Sequence, residues 1–120
     1  MKDKRFRTAY VSQYSAHDFT PLLDVCETVK FSSTGYEAEG EVASAIKESL
    51  KDYNPSLDLI VPVGSVTINF IFGMVAARMW LSGNFSVAFY KDGEYHITEV
   101  TTAPSTSAGK QVEVDDGKSK

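Results

Sequence analysis

The sequence predicts a single α/β domain: a mixed β-sheet with helical crossovers and a C-terminal β-hairpin. Three observations carry that expectation. Strand-like and helix-like runs follow one another as β, short α, β, α, β, α, β, β, the alternation that places helical crossovers between parallel strands. The last two strand-like runs, residues 85–90 and 95–101, are joined by Lys91-Asp92-Gly93-Glu94. Asp-Gly between apolar runs is a strong hairpin signal, so the final pair is antiparallel. Finally, 120 residues with 42% hydrophobic and 23% charged side chains match one globular core and leave no room for a second.

The elements follow in order. Residues 8–14 (TAYVSQY) are rich in β-branched and aromatic side chains and predict the first strand. Asp18 is placed to cap a short helix running to Val25, with Pro21 in its first turn, where a missing N–H costs little. Cys26 falls on the apolar side of that helix with Leu22 and Leu23. Residues 28–32 (TVKFS) alternate as a second strand, and Ser33-Thr34-Gly35 is a turn. Between residues 39 and 53, Val42, Ala45, Ile46, Leu50 and Tyr53 recur at spacings of three and four, which predicts an amphipathic helix closed by Asn54-Pro55. Residues 57–63 (LDLIVPV) predict a buried strand, with Pro62 near its end. Residues 66–81 predict a central helix that is apolar nearly all round, stopped by Gly83. Residues 102–120 hold almost no large apolar side chains and are expected to be a disordered tail behind a ligand-binding domain of residues 1–101.

Charge and cysteine usage narrow the function classes. Twelve basic against sixteen acidic residues leave a net charge of −4. That argues against a nucleic acid polymer as partner, though a small phosphorylated ligand needs only one or two cations. One cysteine, Cys26, forms no internal disulfide and reads as a core residue; with a charged start that leads into no apolar run, it points to the cytoplasm. One Cys and two His, His17 and His96, do not make a usual zinc set, so no metal and no cofactor is expected.

The central helix is short for a membrane span and contains Asn69, Gly73 and Arg78. It either packs within the chain against the sheet or meets a second copy along a small-residue strip of Asn69, Gly73, Ala76 and Ala77. Its start, Gly64-Ser65, offers backbone N–H groups at the carboxyl edge of the sheet, where small anions bind in open α/β folds; the other reading is an ordinary turn with Ser65 or Thr67 as the cap. Neither a GxGxxG nor a GxxxxGK[ST] pattern is present. His17-Asp18 follows the first strand. As a general base His17 would need a nucleophile and an orienting partner, and none can be picked out, so a polar contact to backbone or ligand is expected. Arg5, Arg7 and Arg78 are the only arginines available for a bidentate phosphate contact. Tyr10, Tyr14, Phe19, Phe89, Tyr90 and Tyr95 lie near the sheet edge, some as stacking surfaces and most as core.

Three segments together carry a family resemblance: YVSQYSAHDF (residues 10–19), DLIVPVGSVTIN (58–69) entering the apolar helix, and GNFSVAFYKDGEYHITEV (83–100) as the closing hairpin. In order and spacing they resemble the small phage-encoded Thoeris anti-defence proteins, over residues 8–101. The resemblance implies a non-catalytic sponge that sequesters a cyclic nucleotide immune signal, a cyclic ADP-ribose isomer and in some members cyclic dinucleotides. It implies a homodimer or larger homo-oligomer with ligand pockets between subunits, acting in the cytoplasm of an infected bacterium. Where family members tend to carry an asparagine in the penultimate strand and an arginine in the last, this chain has Ser86 and Thr98. The ligand is then either a different nucleotide or the same one held by other side chains. The expected ligand contacts are His17, Ser65, Asn69, Arg78, Ser86, Thr98 and, from the leader, Arg7 (or Arg5). Two alternatives stand beside the sponge: a structural or adaptor oligomerisation module, and a small nucleotide-degrading enzyme using His17 or His96 as base.

Overall fold

The computed structural model describes residues 4–80 and 84–101. Its strands are β1 (Phe6–Val11), β2 (Cys26–Phe31), β3 (Leu59–Val61), β4 (Asn84–Lys91) and β5 (Glu94–Thr101), in the sheet order β2-β1-β3-β4-β5. β1 pairs in parallel with β2 and β3, β3 in parallel with β4, and β4 antiparallel with β5. The mixed α/β sheet and its closing hairpin are therefore those the sequence predicts. Asp92 and Gly93 both take positive φ, 54° and 82°, as a tight hairpin turn of this kind requires. Because the chain crosses from β2 over β1 to β3, the sheet grows in both directions from its middle. The crevice beyond the carboxyl ends of β1 and β3 is its topological switch point.

Two helices, α1 (Val42–Ser49) and α2 (Val66–Met79), cover one face. There Tyr10, Ile60 and Phe85 from the strands meet Ile46, Leu50, Tyr53, Phe72 and Ala76. Tyr53 Oη is buried in this layer with no hydrogen-bond partner among the described residues, and burial pushes its phenol up. On the other face Ala9, Val11, Leu59, Val61 and Ala88 are covered by Leu22, with Phe19 and Val25 at its margin.

Several boundaries differ from expectation for identifiable reasons. The first crossover is a 3-10 turn, Thr20–Asp24, with Pro21 in its first turn. Asp18 does not cap it from the N-cap position, which Phe19 holds; its Oδ1 accepts the Thr20 N–H at 3.0 Å, a local bond that competes with helix. Cys26 is not on that turn but opens β2, fully buried. The amphipathic helix of residues 39–53 keeps its apolar face but is α-helical only over α1. It is flanked by 3-10 turns Glu39–Glu41 and Leu50–Asp52, the tightening common at helix ends. β3 is shorter than residues 57–63, since Asp58 is committed to side-chain bonds and Pro62 has no N–H for the ladder.

α2 ends at Met79. Leu81 and Gly83, its expected last residue and stop signal, lie outside the described residues, as does the expected tail of residues 102–120. Within one chain α2 is not buried all round: Val66, Phe70 and Met74 are 84%, 68% and 52% exposed. Its small residues Gly73, Ala76 and Ala77 share one side, where they line an apolar groove. Ala76 packs on the sheet, Asn69 turns inward, and Gly73 faces open space. Among the described residues no helix is long and apolar enough to cross a membrane.

Candidate functional site

The switch point is where polar chemistry concentrates on the side of the sheet edge nearest α2. β1 runs out into Ser12-Gln13, and β3 into Pro62-Val63-Gly64-Ser65. Ser12 Oγ accepts the Val63 N–H at 2.9 Å and donates to the Val63 carbonyl at 3.0 Å. Gln13 Nε2 donates to the same carbonyl at 2.8 Å, and Asn69 Nδ2 at 3.0 Å. Three donors thus converge on an oxygen with two lone pairs. Asn69 Oδ1 is buried and has no partner among the described residues. Gly64 has φ +77°, and a Cβ there would stand 2.6 Å from Gln13 Cδ, so backbone and side chain meet only because this residue is glycine. Ser65 caps α2, its Oγ accepting the Ile68 N–H at 3.3 Å.

On the other side of the same edge lies a continuous row of rings. Tyr14 meets Phe31 at 5.4 Å between centroids, Phe31 meets Phe19 at 5.3 Å, and Phe19 meets His17 at 6.0 Å. His17 meets Tyr90 at 5.6 Å, and Tyr90 meets Tyr95 at 5.2 Å. Tyr14, Phe31 and Tyr90 remain exposed. Tyr95 Oη donates to the Asp18 carbonyl at 3.4 Å, tying the hairpin to the loop that carries His17; burial raises its phenol above the ordinary value. Rings at these spacings offer π-faces and edges to a flat partner.

The loop after β2 borders the row. Glu37 accepts from Ser33 Oγ at 2.6 Å and from the Thr34 N–H at 2.9 Å, and these bonds hold its carboxyl down to about 2. The Tyr14 N–H donates to the Ser33 carbonyl at 2.9 Å, joining this loop to the end of β1. Tyr36 projects from it into solvent.

The expected contact residues do not gather into one site. His17, Ser65 and Asn69 stand at the carboxyl edge. Arg78 lies in the last turn of α2, at the far end of the helix, lining a shallow groove with Ala43, Ser44 and Lys47 of α1. Arg7 is at the amino edge, where its Nε and Nη2 donate to Asp58 at 3.0 and 2.8 Å. Ser86 and Thr98 project from opposite faces of the hairpin: Ser86 pairs with Glu99 on the face of Ala88, and Thr98 pairs with Val87 on the face of α2. Of the aromatic candidates, Tyr14, Phe19, Tyr90 and Tyr95 join the row. Tyr10 is core, and Phe89 stacks on His96 on the α2 face at 5.6 Å. Sequence reasoning missed Gln13 and Phe31, whose signal was their place just past β1 and at the last position of β2.

The described residues contain no group of three or more His, Cys, Asp and Glu that could hold a metal ion. Burial pushes the Cys26 thiol up to about 11, which keeps it protonated and unreactive at neutral pH. No family model, curated protein or solved structure matches the chain.

Proposed function

We propose that this protein captures a small cyclic nucleotide at the carboxyl edge and holds it without consuming it, as an anti-defence sponge acting in the cytoplasm of an infected bacterium. The observation that carries the reading is the ring row from Tyr14 to Tyr95 at the same edge as the capped start of α2. The rings suit a base, and the N–H groups of a helix start suit a phosphate. The resemblance to Thoeris anti-defence proteins gives the ligand class, with cyclic ADP-ribose isomers first and cyclic dinucleotides second. Effective sequestration needs a dissociation constant on the order of nM, or about −12 kcal/mol. An open edge does not reach that alone, so the pocket is completed by a second subunit.

The test is capture and release. Purified protein is mixed with a panel of cyclic ADP-ribose isomers and cyclic dinucleotides and filtered, and the retained fraction is heat-denatured for mass analysis. An intact nucleotide freed only on denaturation supports the sponge; conversion to products moves the case to a nucleotide-degrading enzyme. The second reading is an oligomerisation module, favoured by the exposed apolar side of α2. It predicts that no panel member is retained and that none raises the melting temperature, whereas a nucleotide at about 100 times its dissociation constant adds about 2.7 kcal/mol.

A further inference from the structure

A feature that the carboxyl edge does not use is the uncovered side of α2, where Val66, Phe70 and Met74 stand exposed. Beside it runs an apolar groove of about 130 Å³, lined by Phe72, Gly73, Ala77, Phe85, Val87 and Val100. A Cβ on Gly73 would meet nothing within 4 Å, so the groove is open where the helix carries no side chain. One turn earlier Phe70 stands 68% exposed, so the same helix presents a large apolar knob next to an apolar hole.

A two-fold contact must use one patch that is complementary to itself. α2 meets that condition in one arrangement. A two-fold axis crossing the helix midway, between Ile71 and Phe72, runs a second α2 antiparallel to the first. It sets Phe70 of each copy opposite Gly73 of the other, and Val66 opposite Ala77. A large residue faces a small one at each step, which lets the backbones approach closely. We infer that two copies of this chain pair through α2 in this antiparallel arrangement, each seating Phe70 in the groove of the other.

The area agrees with the inference. With roughly 150–200 Å² on a large apolar side chain, the exposed fractions of Val66, Phe70, Met74 and Val100 leave on the order of 400 Å² of apolar surface. A standard interface buries about 800 Å² per partner and is a little over half apolar, so this patch supplies the apolar share and its polar margins the rest. Arg78 is the only charged residue of α2, so no like charges confront one another along the seam. The same axis brings Arg78 of the second copy level with Ser65. The helix's one cation, carried by a single chain at the end far from the carboxyl edge, is returned to that edge by its partner. The pairing is independent of the nucleotide reading; only this role for Arg78 rests on it.

Sedimentation or light scattering of the full chain at micromolar concentration is expected to give twice 13.2 kDa. Phe70→Glu, at a site already exposed, should give a folded monomer by circular dichroism. Direction is read by oxidation. The double variant Val66→Cys/Ala77→Cys should cross-link into dimers, because its two thiols sit about 16 Å apart in one helix. Val66→Cys alone should not. A monomeric wild type would assign the groove to residues 102–120 or to another partner and overturn the inference. So would a dimer that survives Phe70→Glu, or cross-linking of Val66→Cys alone, which reports parallel helices. Arg78→Ala should keep the dimer mass and lower nucleotide retention at least tenfold; unchanged retention overturns the role of Arg78. A dimer that retains no nucleotide leaves the pairing standing and removes the sponge.

Discussion

The two ends of the sheet differ in how densely their polar groups are tied and in what they leave open to water. At the amino end the fully buried Asp58 carboxylate accepts from Arg7 Nε and Nη2, from the Thr8 N–H at 3.2 Å and from the Asn54 N–H at 2.8 Å. Arg7 Nη2 also donates to the Asp52 carbonyl at 2.9 Å, and the bond to Asp58 raises its guanidinium above the ordinary value. Four donors on two oxygens fasten β1, β3 and the turn before β3 together. At the carboxyl end three donors crowd one carbonyl, Asn69 Oδ1 has no partner among the described residues, and ring faces stand open to water. A buried polar cluster that serves only the fold tends to completeness, because each orphaned group costs about 1–3 kcal/mol. Each end keeps one buried orphan, Tyr53 Oη against Phe85 near the amino end and Asn69 Oδ1 at the carboxyl end, so the open ring faces are what give the carboxyl end capacity for something further.

The sharpest way to break this contrast is Asp58→Ala. It orphans the Thr8 and Asn54 N–H groups, strips Arg7 of its carboxylate and leaves a cavity, so unfolding in urea should show a loss of about 3 kcal/mol or more. Nucleotide retention by the molecules that remain folded should be unchanged. A stability change below about 1 kcal/mol would mean that the amino-end cluster is not what fastens the sheet.

Gly64→Ala tests the other end with a smaller effect. The added Cβ forces a positive φ on a residue that resists it and displaces Gln13 from the Val63 carbonyl. A loss of about 1–3 kcal/mol in stability is expected, together with weaker ligand retention. Tyr90→Ala should separate these properties completely. Its ring is half-exposed and joins His17 to Tyr95 near the hairpin end of the row, so the melting temperature should hardly move. Loss of one stacking face should weaken retention about tenfold to a hundredfold, and equal retention by titration would remove the ring row from the site.

What the sequence made legible follows the same division. Spacing located α1, through Val42, Ile46 and Leu50, and alternation located β2; β1 was legible from its β-branched and aromatic content, α2 from its unbroken apolar run and the hairpin from Asp92-Gly93. The first crossover was misread, because Asp18, Pro21 and the leucines fit an α-helix as well as a 3-10 turn. The local bond from Thr20 N–H to Asp18 decides between them. Arg7 illustrates the harder failure. A leader arginine is a plausible phosphate ligand until a partner 51 residues away claims it, and no local pattern announces that Asp58 will be buried beneath it. Ser86 and Thr98 were grouped through the family resemblance, and the register of β4 and β5 sends them to opposite faces. The ring row was half legible, its members recognisable as aromatic but its continuity set by strand order.

The smallest expected effect lies in the loop that borders the ring row, and it limits how loose the carboxyl edge is. Glu37 is held at about 2 against an ordinary 4.5, chiefly by Ser33 Oγ and next by the Thr34 N–H. A carboxyl depressed in the folded state contributes stability that is fully present above its unfolded value and is lost as pH falls through the folded one. The window is therefore about pH 4.5 down to 2. Urea unfolding at steps across that window should show Glu37→Gln less stable than wild type at pH 5, with the two curves converging towards pH 2. Curves that stay parallel would mean the Glu37 bonds do not order this loop. Tyr36 and the Tyr14–Phe31 end of the row would then rest on no fastened element, and the carboxyl edge would be open in its backbone as well as in its side chains.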